Sequence, residues 1–186
     1  MKVIDQEIAS LKNSISEMWA LVHQQLYNAG EAMLTGDKEL AYKVISRERR
    51  VNAFELKIDS DCEDIIALYA PVAVDLRFVL AMYKINTNLE RLGDFAESIA
   101  RFAGNLPEGV PVDPQLIKDT RVEEMLQELL SMLTLSQEAF EKESSEIASR
   151  IFLKDNLIDE INHNSTRIIA DYIEKHPGSA LVGLYM

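Results

Sequence analysis

The chain has 186 residues, 47% of them hydrophobic, and a formal net charge of −12. That length and apolar share suit one substantial core or two small ones and exclude a disordered or fibrous polypeptide. The acidic balance argues against a nucleic-acid binder, whose surface must attract phosphates rather than repel them.

Cys62 is the single cysteine and cannot form an internal disulfide. The N-terminus shows no leader pattern, and no stretch approaches the roughly 18 consecutive apolar residues that span a bilayer. A cytoplasmic protein that meets membranes only through partners is the expectation.

Seven glycines and five prolines, set against long runs rich in Ala, Leu, Glu, Lys and Met, favour helix throughout, and an all-α fold is expected. Apolar residues recur at helical spacing from Asp5 to Leu34, among them Ile8, Leu11, Ile15, Met18, Trp19, Val22 and Leu26. "TGD" follows, with Gly36 suited to a C-terminal stop and Asp37 to a new N-cap. A second helix is predicted from Lys38 to Tyr69, ended by Pro71, and a third from Val74 to Ala103. The breaker cluster "NLPEGVPVDP" at 105–114 reads as a domain linker, dividing a first unit (1–105) from a second (115–186), with residues 106–114 between them. Asp113 as N-cap and Pro114 at the first helical position open a fourth helix running to Lys142, and a fifth runs from Ser145 to Lys175.

Shifted by 107 residues, "EAMLTGDKELAYKVISRERRVN" (31–52) aligns with "EAFEKESSEIASRIFLKDNLID" (138–159), and "YAPV" at 69 with "HPGS" at 176. Self-similarity of this kind marks a tandem repeat of a three-helix unit. In that register most of the second unit's third helix would fall past Met186, so the second bundle is expected to be incomplete, through truncation or because another chain supplies the surface.

Helix three has two faces at about 100° per residue. Phe78, Met82, Ile85, Leu89, Leu92, Ala96, Ile99 and Ala103 make a core seam, while Thr87, Glu90, Asp94 and Glu97 stack on the opposite side. On helix two, Glu48, Asn52, Glu55 and Asp59 share one arc, although like charges stacked along a helix repel. With the turn centred near Val72, residues at equal height have numbers adding to about 144, which sets Glu48, Asn52 and Glu55 beside Glu90 and Asp94 and leaves Asp59 as an outer member. Carboxylate and amide oxygens converging from two helices suit hard or borderline divalent cations and iron; a plain solvated acidic face is the alternative. Gly93 costs about 1 kcal/mol relative to alanine in a helix, and its use would be to let a neighbouring helix or bound group approach.

Other motifs carry less. Glu160 and His163 form one Glu-x-x-His, where a di-iron bundle needs two. Structural-zinc spacing and a P-loop are both lacking, and Cys62 reads as core packing. Asp75 suits the start of helix three and Arg77 can pair with an acid across the turn; the alternative is that Asp75 and Arg77 both face a partner.

"VNAFELKIDSDC" (51–62), "APVAVDLR" (70–77) and above all "NLERLGDFAESIA" (88–100) resemble the PhoU family of phosphate-uptake regulators, over essentially the whole chain. The resemblance implies two three-helix bundles in tandem and multinuclear metal clusters on the bundle surface, iron or zinc in some members and magnesium or manganese in others. The family's Glu/Asp-x-x-x-Asp pattern falls on Glu55 with Asp59, Glu90 with Asp94, and Asp155 with Asp159. By that likeness Glu90 and Asp94 are the best ligands, supported by Glu48, Asn52 and Glu55. Asp155 and Asp159 correspond to Glu48 and Asn52 in the second unit and lack helix-three partners in this chain. It further implies a non-catalytic cytoplasmic adaptor, often a homodimer, that restrains the phosphate-starvation response by linking the ATPase subunit of the phosphate ABC transporter to a sensor histidine kinase. A carboxylate-bridged metalloenzyme in a helical bundle is the alternative from another class.

Overall fold

The computed structural model describes residues 3–106 and 112–185, and every regular element within them is helical. Three long antiparallel helices, α1 (Val3–Thr35), α2 (Lys38–Tyr69) and α3 (Ala73–Asn105), all pack against one another as the first bundle. The α1–α2 corner is made by Gly36 at φ 71, a left-handed conformation that glycine adopts without strain. Asp37 then caps α2, its carboxylate accepting from the Leu40 amide at 2.9 Å. The expected linker lies partly outside the described residues, which resume at Val112.

The second unit contains α4 (Pro114–Thr120), α5 (Val122–Glu141), α6 (Ser145–Lys175), a 3₁₀ turn (Pro177–Ser179) and α7 (Ala180–Tyr185). Asp113 caps α4 through the Gln115 amide at 2.8 Å, with Pro114 at the first position, as the sequence suggests. Helices α2 and α6 begin at Lys38 and Ser145, and α3 and α7 at Ala73 and Ala180, so both pairs of starting points keep the repeat register.

One expectation fails here. The helix predicted to run unbroken from Pro114 to Lys142 stops at Arg121, which has φ 55 and separates α4 from α5. A non-glycine residue in that region costs on the order of 1 kcal/mol. Arg121 bonds Glu124 at 2.7 Å and reaches across to Glu160 of α6 at 3.0 Å. The same contact engages Glu160, the acid of the isolated Glu-x-x-His.

Helix α1 is shared by both units. Besides lining the first core, it contacts α5: Trp19 donates its indole N–H to the Leu133 carbonyl at 3.2 Å and stacks on Phe140 with centroids 5.7 Å apart. A side chain at Gly30 would collide with Leu126, so glycine there allows the close approach of the two helices. No helix among the described residues is long and apolar enough to cross a membrane.

Candidate functional site

The α2–α3 register follows the antiparallel count. Gly93 packs on Val51, where an added Cβ would stand 2.8 Å from Val51 Cγ1. Two turns further along, the buried Asn86 donates from Nδ2 to Asp59 Oδ1 at 2.7 Å and to the Glu55 carbonyl at 3.0 Å. Near the far end, the Cys62 thiol points at the Val79 carbonyl, 3.9 Å away. Cys62 is a core residue, and burial pushes its thiol up to about 12. These contacts answer what Gly93 is for: they bring the two helices together at the level where their acids lie.

Glu48 is the unusual member. Along α2 the buried stripe reads Ala41, Val44, Glu48, Val51, Ile58, Cys62 and Ile65, so a carboxylate occupies a position in the apolar row. It is 5% exposed, and neither carboxylate oxygen has a hydrogen-bond partner. An unpaired buried carboxylate carries a large desolvation cost. Burial first, then the charges of Asp94, Glu97 and Glu90, raise its pKa from 4.5 to about 7.

The groove at this point is lined from α2 by Ser46, Glu48, Arg49 and Asn52, and from α3 by Asp94, Glu97 and Arg101. The structure therefore brings Glu48, Asn52 and Asp94 into one groove. Glu90 is half-buried beside it, and desolvation followed by the Asp94 and Glu55 charges also raises its pKa. Glu55 thus belongs to the Glu90 end of the face. Asp59 is engaged by Asn86 and stands apart, in keeping with its place as an outer member.

Glu97 and Arg101, which form an ion pair at 2.6 Å, are site residues that the sequence reading did not select. The height rule holds the signal, because Glu97 is closer than Glu90 to the level of Glu48, whereas the Glu-x-x-x-Asp spacing points to Glu90 and Asp94.

Elsewhere the expected residues stand alone. Asp155 and Asp159 are exposed on α6. Asp75 is exposed in the first turn of α3. Arg77 does not bridge the turn: its Nε donates to the Ala73 carbonyl of its own helix at 3.3 Å, because Ala73 lies one turn behind it.

The donor set fits a hard divalent cation or iron, since Glu48, Asp94, Glu97 and Glu90 offer carboxylate oxygens and Asn52 an amide oxygen. The orphaned oxygens of Glu48 are the observation that favours such an occupant, because a cation would supply the partner they lack. Among the described residues no three His, Cys, Asp or Glu side chains are grouped closely enough to hold a metal ion by themselves.

A protein-family model described as the PhoU domain matches residues 15–103 and 122–184. The chain is 32% identical over 172 residues to the phosphate-specific transport system accessory protein PhoU homolog of Aquifex aeolicus, covering 92% of this chain and 76% of that protein. It is likewise 32% identical over 167 residues to the protein named phosphate-specific transport system accessory protein PhoU in Escherichia coli, covering 90% and 68%. Among solved structures, PhoU from Pseudomonas aeruginosa superposes with a TM-score of 0.91 at 26% identity, over 97% of this chain and 85% of that one. The phosphate transport system regulatory protein PhoU from Streptococcus pneumoniae gives 0.84 at 28% identity, over 98% and 85%.

Proposed function

The chain belongs to the PhoU family, and from that premise we propose that it is a regulatory adaptor of phosphate transport, acting through protein contacts and bearing divalent cations on its α2–α3 face. The observation that carries the reading is the likeness, over most of the chain, to proteins named as accessory to the phosphate-specific transport system. Its partners would be the transporter's ATPase subunit, a phosphate sensor histidine kinase and a second copy of the chain, in the cytoplasm. The buried, unpartnered Glu48 supports the cation part.

In mechanistic terms a bound cation supplies local positive charge and oxygen-seeking coordination sites. The chain's own residues do the rest. Glu48 and Asp94 would present carboxylate oxygens from facing helices, Asn52 would add a neutral oxygen, and Gly93 keeps α2 and α3 close enough for both walls to act together. Removing the acids of α3 should therefore change the adaptor's surface while leaving its bundle folded, since Asp94 is exposed and Glu90 half-buried.

Expressed in a strain that lacks its own PhoU-type regulator, this chain should restore repression of a phosphate-starvation reporter at high phosphate and co-purify with the transporter ATPase. The Glu90→Ala, Asp94→Ala double variant should keep wild-type helicity and lose most of the repression. Equal repression by the variant would discard the acidic face as the working surface; neither repression nor co-purification by the wild type would discard the adaptor reading itself.

A further inference from the structure

The α2–α3 groove has two chemistries in one lining. Beside its carboxylates stand two guanidinium groups, Arg49 from α2 and Arg101 from α3. Arg101 is held at 2.6 Å by Glu97, whereas among the described residues Arg49 makes no ion pair. Arginine's planar fork matches a tetrahedral oxyanion, to which it can donate two parallel N–H bonds.

The acids alone would repel such an anion. Glu48, with both oxygens buried and unpartnered, lines the same groove as Asp94 and Glu97. A divalent cation taken up there would offset two of these negative charges, and an ion held by only a few side-chain oxygens keeps positions open for an outside oxygen ligand. If Glu97 turns to the cation, Arg101 is released from its ion pair and becomes available to that ligand.

We propose that this groove is a cation-dependent site for inorganic phosphate, in which Arg49 and Arg101 grip the anion while carboxylates of α2 and α3 hold the divalent cation that bridges to it. The inference rests on the cation reading above and adds to it a ligand and an order: cation first, phosphate second. The two guanidinium groups act only on the second step.

The test is a titration of metal-stripped protein with Mn²⁺, with and without phosphate, paired with equilibrium dialysis of radiolabelled phosphate with and without Mn²⁺. Linkage requires the two effects to be equal, and couplings between sites commonly fall in the range of about 5- to 150-fold. Phosphate should tighten Mn²⁺ binding on the order of tenfold, and Mn²⁺ should raise phosphate retention by the same factor; sulfate, a weaker ligand for a divalent cation, should do so much less. The Arg49→Gln, Arg101→Gln double variant should bind Mn²⁺ alone at least as well as the wild type, which also shows that it is folded, and lose the coupling. Mn²⁺ binding indifferent to phosphate, coupling that survives in the double variant, or an equal effect of sulfate would each overturn the phosphate site and leave the cation reading standing. Absence of Mn²⁺ binding in the wild type would remove both.

Discussion

Metal-free Glu48→Gln protein is expected to be more stable than the wild type at pH 8 and no more stable at pH 4. The folded-state pKa of Glu48 is raised, from 4.5 to about 7, by desolvation and by neighbouring acids. The fold therefore binds this proton more tightly than the unfolded chain does. Its contribution is fully present below pH 4.5 and is lost as pH rises through 7. At about 1.4 kcal/mol for each tenfold change in proton affinity, the loss is on the order of 3 kcal/mol. Burying the replacement amide without partners returns roughly 1 kcal/mol of that, so a gain of about 2 kcal/mol at pH 8 is expected from urea unfolding. Saturating Mn²⁺ should reverse the order, since ligand at a hundredfold its Kd stabilises a native state by about 2.7 kcal/mol, and only the wild type keeps the site whole. A wild type that outlasts the variant at pH 8 without metal would show that Glu48 finds a partner in solution.

Gly93→Leu should be the most damaging single change on the α2–α3 contact. Even a lone Cβ would come within 2.8 Å of Val51 Cγ1, and Val51 is fully buried. A β-branched side chain in a helix has one strongly preferred rotamer, so Val51 cannot turn aside cheaply. Overpacking of this kind typically costs 1–3 kcal/mol, and leucine, with three further carbons to place, should reach about 3 kcal/mol or more. Gly93→Ala should cost less, because alanine recovers about 1 kcal/mol of helix propensity. Adding Val51→Ala to Gly93→Ala should show favourable coupling in a double-mutant cycle, since the second change removes the atom that the first strikes. Additive losses instead would mean that the two helices are not in contact at this height.

Both results depend on a register that the sequence already contained. Two helices of nearly equal length joined at Pro71 leave little freedom in pairing, so Val51 meets Gly93 and Asp59 meets Asn86 where the height rule puts them. The helix starts at Asp37 and Asp113 were equally legible, because an aspartate cap acts through amides two or three residues away.

What escaped the sequence was decided by longer-range contacts. Nothing in "DTRVEE" breaks a helix locally; the break at Arg121 accompanies its reach to Glu160, 39 residues along the chain. Arg77 found a carbonyl one turn back rather than an acid across the corner. Within the site, helical spacing shows which acids share an arc, but the burial of Glu48, and the placing of Glu97 and Arg101 in its groove, come from the packing of α2 on α3.

The central claim is that the groove around Glu48 takes up a divalent cation between α2 and α3. The direct measurement is an anomalous-difference map from crystals of this protein soaked in Mn²⁺. The account predicts a peak within ligating distance of both Glu48 and Asp94, with Glu48 among the ligands. Peaks confined to other surfaces, or a Mn²⁺-soaked groove in which Glu48 stays buried and unliganded, would contradict it.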